Sequence, residues 1–590
     1  MKRLIILPLL LLALSLSAAP LSEQKAREIA AEFFSTNATR SSAVQFELAW
    51  AGDDAYKISN VQTRSTSDSA LMYIYNRTDS KGFVIIAGDD SAPRPILAFS
   101  YDNDFDTKDV ADGARMLLAD LCAEIKNTEY STLSTSEIST RASVGNIVCE
   151  YKTALWGQGA PFNNESPTLS NGEKTITGCV ATALAIIAYY HKWPEKGVGT
   201  TPEYTYSYHS NIENTVPANT LGRTYRYDMM LDKYEGFSYT KGQGDAVAAL
   251  MYDMATAVKM KFDPEGSGAS ASNVSPAMIN YFGYSKSALY ISRKKYDSDK
   301  EWNDLIKNNL KKYGPTFFGG SNGEGGHAFV LEGYTDADYF KFNLGWNGKS
   351  NGYYLLSEKY TVNQHTVIEM YPDRDGTSTY RDYLSLRSFT SSSSGRVYKG
   401  IHTDATEYQS GNQFTAYIGV RNAGVADFSG QVGIALCDKD NKIKNVLTTR
   451  NISRSAGSST SGYSLNIQLT PSDIASGDNL RVVYKGGYST DWQIARRSNE
   501  ETIDKVLLSV EPEEVAKSLT MEYNKEQQSL TFSSVHAIQF MMNGSTGTQV
   551  ANDGVVAHTE YSVSTSSIEK GEYTLSFSSG GKPYMLKVVF

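Results

Sequence analysis

The sequence predicts a multidomain protein: an α+β domain near the N-terminus, a second α+β domain in the middle, and all-β domains towards the C-terminus. Three observations predict it. At 590 residues the chain exceeds what one hydrophobic core can serve. Up to about Pro372, apolar runs of helical period alternate with strand-like runs. Beyond Pro372 short β-type runs separated by Gly, Asn, Asp and Ser take over.

Met1-Lys2-Arg3, the apolar run Leu4 to Leu16 and the small residues Ser17-Ala18-Ala19 have the charged, apolar and cleavage regions of a secretory signal. Residues 1–19 are therefore expected to direct export and to be cut after Ala19. The apolar part is too short for a membrane span. In the next segment Ala26, Ile29, Ala30, Phe33 and Phe34 share one helical face. Val110, Ala114, Leu117, Leu118, Leu121 and Ile125 share another, and the strand-like runs Gly82 to Asp89 and Pro95 to Ser100 lie between them. Thr128 to Ala142 is rich in Ser and Thr, as an exposed linker is, and Arg141 inside it is a candidate processing site. Residues 20–141 are read as one domain with its linker.

The central domain is expected over 142–372. Val180 to His191 lacks Gly and Pro and runs unbroken to Trp193-Pro194, so it reads as a helix with Cys179 at its head. Unpaired N–H groups and the helix dipole favour a thiolate there, which is the nucleophilic form. Far downstream, Gly319 to Gly326 is a flexible loop that leads into the apolar strand Ala328 to Tyr334, placing His327 at a strand start. Thr335 to Asp338 reads as a turn, and Tyr339 to Trp346 runs back as a second strand. That hairpin returns Asn343 towards His327, where an amide oxygen would orient the imidazole.

In Thr177-Gly178-Cys179-Val180-Ala181-Thr182-Ala183, Gly325-Gly326-His327-Ala328-Phe329-Val330 and Asn343-Leu344-Gly345-Trp346-Asn347-Gly348 followed by Asn351-Gly352-Tyr353-Tyr354, the chain resembles the streptopain family of papain-like cysteine proteases. The Cys179 to His327 spacing of about 150 residues is also that of papain-like enzymes. The resemblance implies a papain-like catalytic domain in which Cys179 is the nucleophile, His327 the acid and base, and Asn343 the orienting group. Leu155 to Asn163 looks like the family's oxyanion region, which implies that Gln158 donates to the tetrahedral intermediate beside the Cys179 backbone N–H. One departure is Leu344, where the family carries Trp; shielding of the histidine and asparagine then falls to Trp346 or elsewhere, and Trp346 is equally readable as plain core. The runs at 82–89 and 95–100 look like the family's inhibitory propeptide, so the chain's own N-terminal domain is an expected partner besides protein or peptide substrates.

Four cysteines, Cys122, Cys149, Cys179 and Cys437, are too few for a disulfide scaffold in an exported chain. Cys122 and Cys437 read as buried small hydrophobes, Cys122 with Cys149 is a pairing option, and Cys179 is left as a reactive thiol. A net charge of −9 gives no footprint for nucleic acid. The Cys and His residues lack zinc spacing, and no metal or cofactor is expected.

Towards the C-terminus, Phe414 to Val420, Gln431 to Leu436, Tyr463 to Leu469 and Leu480 to Tyr484 suggest a β-sandwich of immunoglobulin-like size over 380–505. A further β unit over 512–590 ends in Gly571 to Phe577 and Lys582 to Phe590 and looks loosely like bacterial C-terminal sorting domains. The reading is a secreted or surface-exposed bacterial cysteine endopeptidase made as a zymogen. Its competitors are an adhesion protein with a degenerate protease domain and a papain-fold acyltransferase.

Overall fold

The computed structural model describes residues 21–36, 44–59, 70–89, 92, 94–127, 143–208, 212–296, 298–321, 325–356, 363–390, 395, 397–398, 400–403, 413–460, 462–468, 478–497, 505–507 and the strands between 520 and 589. The expected signal at 1–19, and the linker at 128–142 with Arg141, lie outside the described residues. The chain divides into two compact units, one of residues up to Ser378 and one from Thr379 onwards, with Lys294–Tyr296 counted in the second.

The first unit opens with α1 (Glu23–Thr36), and its amphipathic pattern decides its position: Ala26, Ile29, Ala30, Phe33 and Phe34 are all buried. Burying a side chain of the size of Ile29 or Phe33 is worth about 2 kcal/mol, more than the roughly 1 kcal/mol of a cap such as Ser22 Oγ accepting the Lys25 N–H at 3.2 Å. The apolar face therefore anchors the helix, and it packs on β2 (Met72–Arg77), β3 (Phe83–Ala87) and β4 (Ile96–Ser100). β1 (Phe46–Gly52) pairs with β2 at the edge, and α2 (Asp112–Asn127) follows β4. Both expected N-terminal helices are present, except that Val110, counted on the second helical face, lies just before α2 and is buried there.

The other strands of the main sheet of this unit are β5 (Ile147–Glu150), β6 (Leu289–Ser292), β7 (Thr316–Ser321), β8 (Gly326–Thr335), β9 (Tyr339–Asn343), β10 (Gly352–Leu355) and β11 (His365–Ile368); two short hairpin-like pairs within 200–220 stand apart from it. Together the eleven strands form one sheet in the order β1-β2-β3-β4-β10-β9-β8-β7-β11-β6, with β5 also paired to β8. The join between the N-terminal and central parts is β4 against β10, where Phe99 faces Tyr353 and Ala98 faces Tyr354. The Phe99 and Tyr353 rings stack at 4.9 Å, and the Tyr339 hydroxyl donates to the Ile96 carbonyl at 2.7 Å. Gly352 permits the approach, since a Cβ there would lie 2.7 Å from the Phe99 carbonyl oxygen.

α3 (Cys179–His191) is the central helix of this unit. All residues from Val180 to Tyr189 are buried, which suits a helix apolar on every side. α4 (Lys241–Ala257), started by a capping box of Thr240 and Gln243, and α5 (Val274–Phe282) share its core, while α6 (Asp299–Tyr313) packs on β7, β8 and β11. α3 begins at Cys179 and ends where Lys192 turns left-handed at φ 48°, just before Trp193-Pro194. All four cysteines are free, so the Cys122 and Cys149 pairing option is corrected: Cys122 is enclosed in α2 and Cys149 is half-buried on β5.

In the second unit Ile401–Thr403, Gln413–Ile418 and Tyr463–Gln468 form one sheet. Ile443–Arg454, Phe428–Cys437, Asn479–Gly486 and Gln493–Ile494 form another, and Phe414, Ile418, Val432, Ile434, Leu465 and Val482 fill a common core. Near the end of the chain, Glu572–Ser579 and Lys582–Val589 pair antiparallel. Among the described residues no helix is long and apolar enough to cross a membrane.

Candidate active site

Cys179 is the first residue of α3 and is half-buried. The turn that delivers it needs glycine twice over: Gly178 has φ 85°, and a Cβ there would lie 2.6 Å from Met260 Sδ. Thr182 braces the turn, its N–H and hydroxyl donating to the Gly178 carbonyl at 3.1 and 3.0 Å. Burial pushes the Cys179 thiol above its ordinary value, while the backbone N–H groups of Ala328, Val180 and Cys179 itself pull it down.

Ala328 belongs to β8, and the residue before it is His327. The two lie with Cys179 in one cleft of about 400 Å³, walled by Val180, Ala269 and Ala271. Burial holds the His327 imidazole below its ordinary value, and the carboxylate that opposes this is Asp112 of α2. Both shifts favour a neutral thiol beside a neutral imidazole. His327 stacks on Phe329 at 6.3 Å, and a Cβ on Gly113 of α2 would collide with that same Phe329 ring. The start of α2 therefore presses on the strand that carries the histidine.

Asn343 ends β9 and is fully buried. Its Nδ2 donates to Thr153 Oγ1 at 2.8 Å, to the Ala154 carbonyl at 2.9 Å and to Glu332 Oε1 at 3.3 Å, and its Oδ1 accepts the Gly345 N–H at 3.1 Å. No hydrogen bond joins it to His327 in this structure. Gln158 is 9% exposed, and its carbonyl accepts the N–H of Thr177 at 3.1 Å, which fixes it beside the turn into Cys179. Trp346 donates its indole N–H to Asp109 at 3.3 Å, and Lys349 pairs with the same carboxylate, so Trp346 is half-buried against the N-terminal domain. Leu344 is buried, its N–H donating to Asn351 Oδ1 at 2.9 Å.

These residues lie where two family models match: the peptidase C10 family over 156–354 and the Spi protease inhibitor over 18–125. Streptopain of Streptococcus pyogenes is 30% identical over 316 residues, which cover 51% of this chain and 77% of that protein. The chain belongs to the peptidase C10 family. The thiol protease/hemagglutinin PrtT of Porphyromonas gingivalis is 32% identical over 366 residues, 60% of this chain but only 40% of that protein. The solved fragment of prointerpain A from Prevotella intermedia shares 30% identity and covers 51% of this chain and 96% of the fragment, with a TM-score of 0.42. In this peptidase C10 chain the Spi inhibitor match is the region that carries α1, β1 to β4 and α2.

Two residues near this site had escaped notice in the sequence. His365 of β11 lines the same cleft; its Nδ1 lies 2.8 Å from the Asn363 carbonyl, and a Cβ on Gly319 would collide with its ring. A glycine-rich strand opposite a histidine was the available signal. Glu332 of β8 is 4% exposed, and burial pushes its carboxyl up to about 7 against the pull of Thr153, Lys341 and Asn343. An acid inside Ala328-Phe329-Val330-Leu331-Glu332 was the signal there, because carboxylates are almost never fully buried unless paired. Among the described residues no cluster of His, Cys, Asp and Glu is arranged to hold a metal ion.

Proposed function

We propose that the chain is a secreted cysteine endopeptidase made as a zymogen, and the observation that carries this reading is Cys179 at a helix start sharing one cleft with His327. In the mature enzyme the Cys179 thiol gives its proton to His327 and the thiolate attacks a peptide carbonyl. Gln158 and the Cys179 backbone N–H donate to the oxyanion. Collapse breaks the C–N bond as His327 protonates the leaving amine; water, deprotonated by His327, then cleaves the thioester and restores the thiol. Asn343 orients the imidazole, and Trp346 shields that contact once Asp109 no longer holds it.

The inhibited state follows from the N-terminal domain. Asp112 lies near His327, Gly113 abuts Phe329, and Asp109 binds Trp346 and Lys349. Cutting the linker, with Arg141 as the proposed site, would release these contacts and let thiolate and imidazolium form. We assign residues 1–19 to a signal, 20–141 to the inhibitory domain and linker, 142–372 to the protease, 380–505 to an immunoglobulin-like sandwich and 512–590 to a β domain with a sorting role.

The test is mass spectrometry of a denatured protein substrate incubated with wild type or Cys179→Ala. New peptide termini are expected with wild type and none with Cys179→Ala, whereas Cys122→Ala and Cys437→Ala retain cleavage. Cleavage by Cys179→Ala would sink the thiol mechanism, and transfer to an added amine in place of hydrolysis would turn the reading to acyl transfer.

A further inference from the structure

We propose that Glu332 is a positioning residue, acting with Thr153 to fix the Asn343 amide so that its oxygen is the group presented to the imidazole of His327. This rests on the proposed catalytic roles of His327 and Asn343. The pairing of β8 with β9 slips between Leu331 and Gly333, and Glu332 occupies the resulting β-bulge. Bulges re-aim side chains and are frequent next to active sites. Here the carboxylate lies at hydrogen-bonding distance from Asn343, which itself faces Val330 across the ladder.

An asparagine amide can be placed either way round, and its neighbours decide which. Around Asn343 Nδ2 stand a carbonyl, a hydroxyl and a carboxylate oxygen. A flipped amide would set its oxygen against the Ala154 carbonyl and the Glu332 carboxylate, neither of which can donate when that acid is ionised. Thr153 completes the arrangement, since its hydroxyl accepts from Asn343 and donates to the same Glu332 oxygen. With both amide hydrogens consumed, Oδ1 holds one hydrogen bond from the Gly345 N–H and keeps a second lone pair. An imidazole N–H needs such an acceptor.

A purely structural role is a poor fit for this acid. Lys341, the cation whose charge acts on Glu332, pairs with Glu150 of β5 and lies 3.6 Å from Asp102 of the N-terminal domain, so Glu332 is not held in a hydrogen-bonded ion pair of its own. Burying an acid on those terms is costly, and an apolar residue would serve the strand better.

The experiment measures kcat and KM of the mature enzyme for Glu332→Met, Glu332→Gln, Asn343→Ala and the double variant Glu332→Met with Asn343→Ala. Glu332→Met should lower kcat by about tenfold to a hundredfold, the scale of a misplaced catalytic group, with KM little changed. Glu332→Gln, which keeps an oxygen acceptor, should recover most of that loss. In the Asn343→Ala background Glu332→Met should cost nothing further, because there is no amide left to orient. A loss that persists undiminished in the double variant, a Glu332→Met enzyme with wild-type kcat, or a Gln variant as slow as the Met variant would each overturn the proposal. Asn343→Ala with unchanged kcat would instead overturn the role of Asn343 itself. If Glu332→Met fails to fold, Thr153→Val carries the same test, since it removes the bridging hydroxyl at nearly constant volume.

Discussion

Asn343 is wholly buried and every polar atom of its amide is engaged, whereas Cys179 and His327 share a half-open cleft in which each is nearest its neutral form. The amide sits on a strand end held by β8 and the segment at 153–154. The pair proposed to react sits at a helix start and a strand start next to α2 of the N-terminal domain. A part that must only orient can be locked during folding, but a part that must switch from silent to reactive has to be held by something removable.

The largest test of that contrast separates His327 from Asn343 in the mature enzyme. His327→Ala removes the proposed proton carrier and should lower kcat by about a thousandfold or more, at the upper end of what general acid–base catalysis supplies. Asn343→Ala leaves the thiolate and imidazolium able to pair, and should cost about tenfold to a hundredfold. Steady-state kinetics on a peptide substrate measures both. Equal losses would mean that orientation is as indispensable as the proton carrier, and the division drawn above would fail.

The same contrast explains what could be read from the sequence. The positions of Cys179, His327 and Asn343 were legible because each stands in a local pattern: a glycine before an unbroken apolar helix, a glycine before a strand, a turn that returns the chain. The loop expected over Gly319 to Gly326 is corrected, since Gly319 to Ser321 belong to β7 and pair with β8. The helical faces of Ala26 to Phe34 and Ala114 to Ile125 were legible from periodicity alone. The join of β4 to β10 was not, because a pairing between Phe99 and Tyr353 leaves no local trace in either strand. Nor were the partners of Asn343, since Thr153 belongs to a different segment and Glu332 reaches the amide only through a bulge. That Trp346 is held by Asp109 likewise depends on a domain contact that no spacing encodes.

A second test asks what the locked half costs in stability. The Glu332 carboxyl rises from an ordinary 4.5 to about 7 in the folded protein, with Thr153, Lys341 and Asn343 opposing the rise and Glu150 adding to it. A raised folded value means that the protonated form is favoured by folding, so this stability is present below pH 4.5 and is lost as pH climbs to about 7. Glu332→Gln cannot ionise. Its stability relative to wild type should therefore improve by about 2–3 kcal/mol between pH 4 and 8, measured by denaturant unfolding of the full chain. A difference that stays flat with pH would show that the carboxyl is not strained by its burial.

The smallest expected effect concerns the removable half, and it is the one that tests whether α2 holds the cleft through named contacts or through bulk alone. Asp109 accepts the Trp346 indole N–H and pairs with Lys349, and those two partners hold its carboxyl below the ordinary range. Both side chains are partly exposed, at 48% for Asp109 and 25% for Lys349, so solvent and salt screen the pair and its worth is about 0.5–1 kcal/mol. Asp109→Asn in the segment 20–127, added to the mature enzyme, should then raise the inhibition constant by about threefold to fivefold, and the difference should shrink at high salt. The sign with pH follows from the depressed carboxyl: the contact is intact above the ordinary carboxylate range and weakens as pH falls through it, so acid should erode inhibition by wild type more than by the Asn variant. Most of the inhibition would remain in either case, because the β4 to β10 pairing and the packing of Gly113 on Phe329 are untouched. An inhibition constant unmoved by Asp109→Asn at low salt would show that Trp346 is merely covered by the N-terminal domain, and the strand join would then carry the restraint alone.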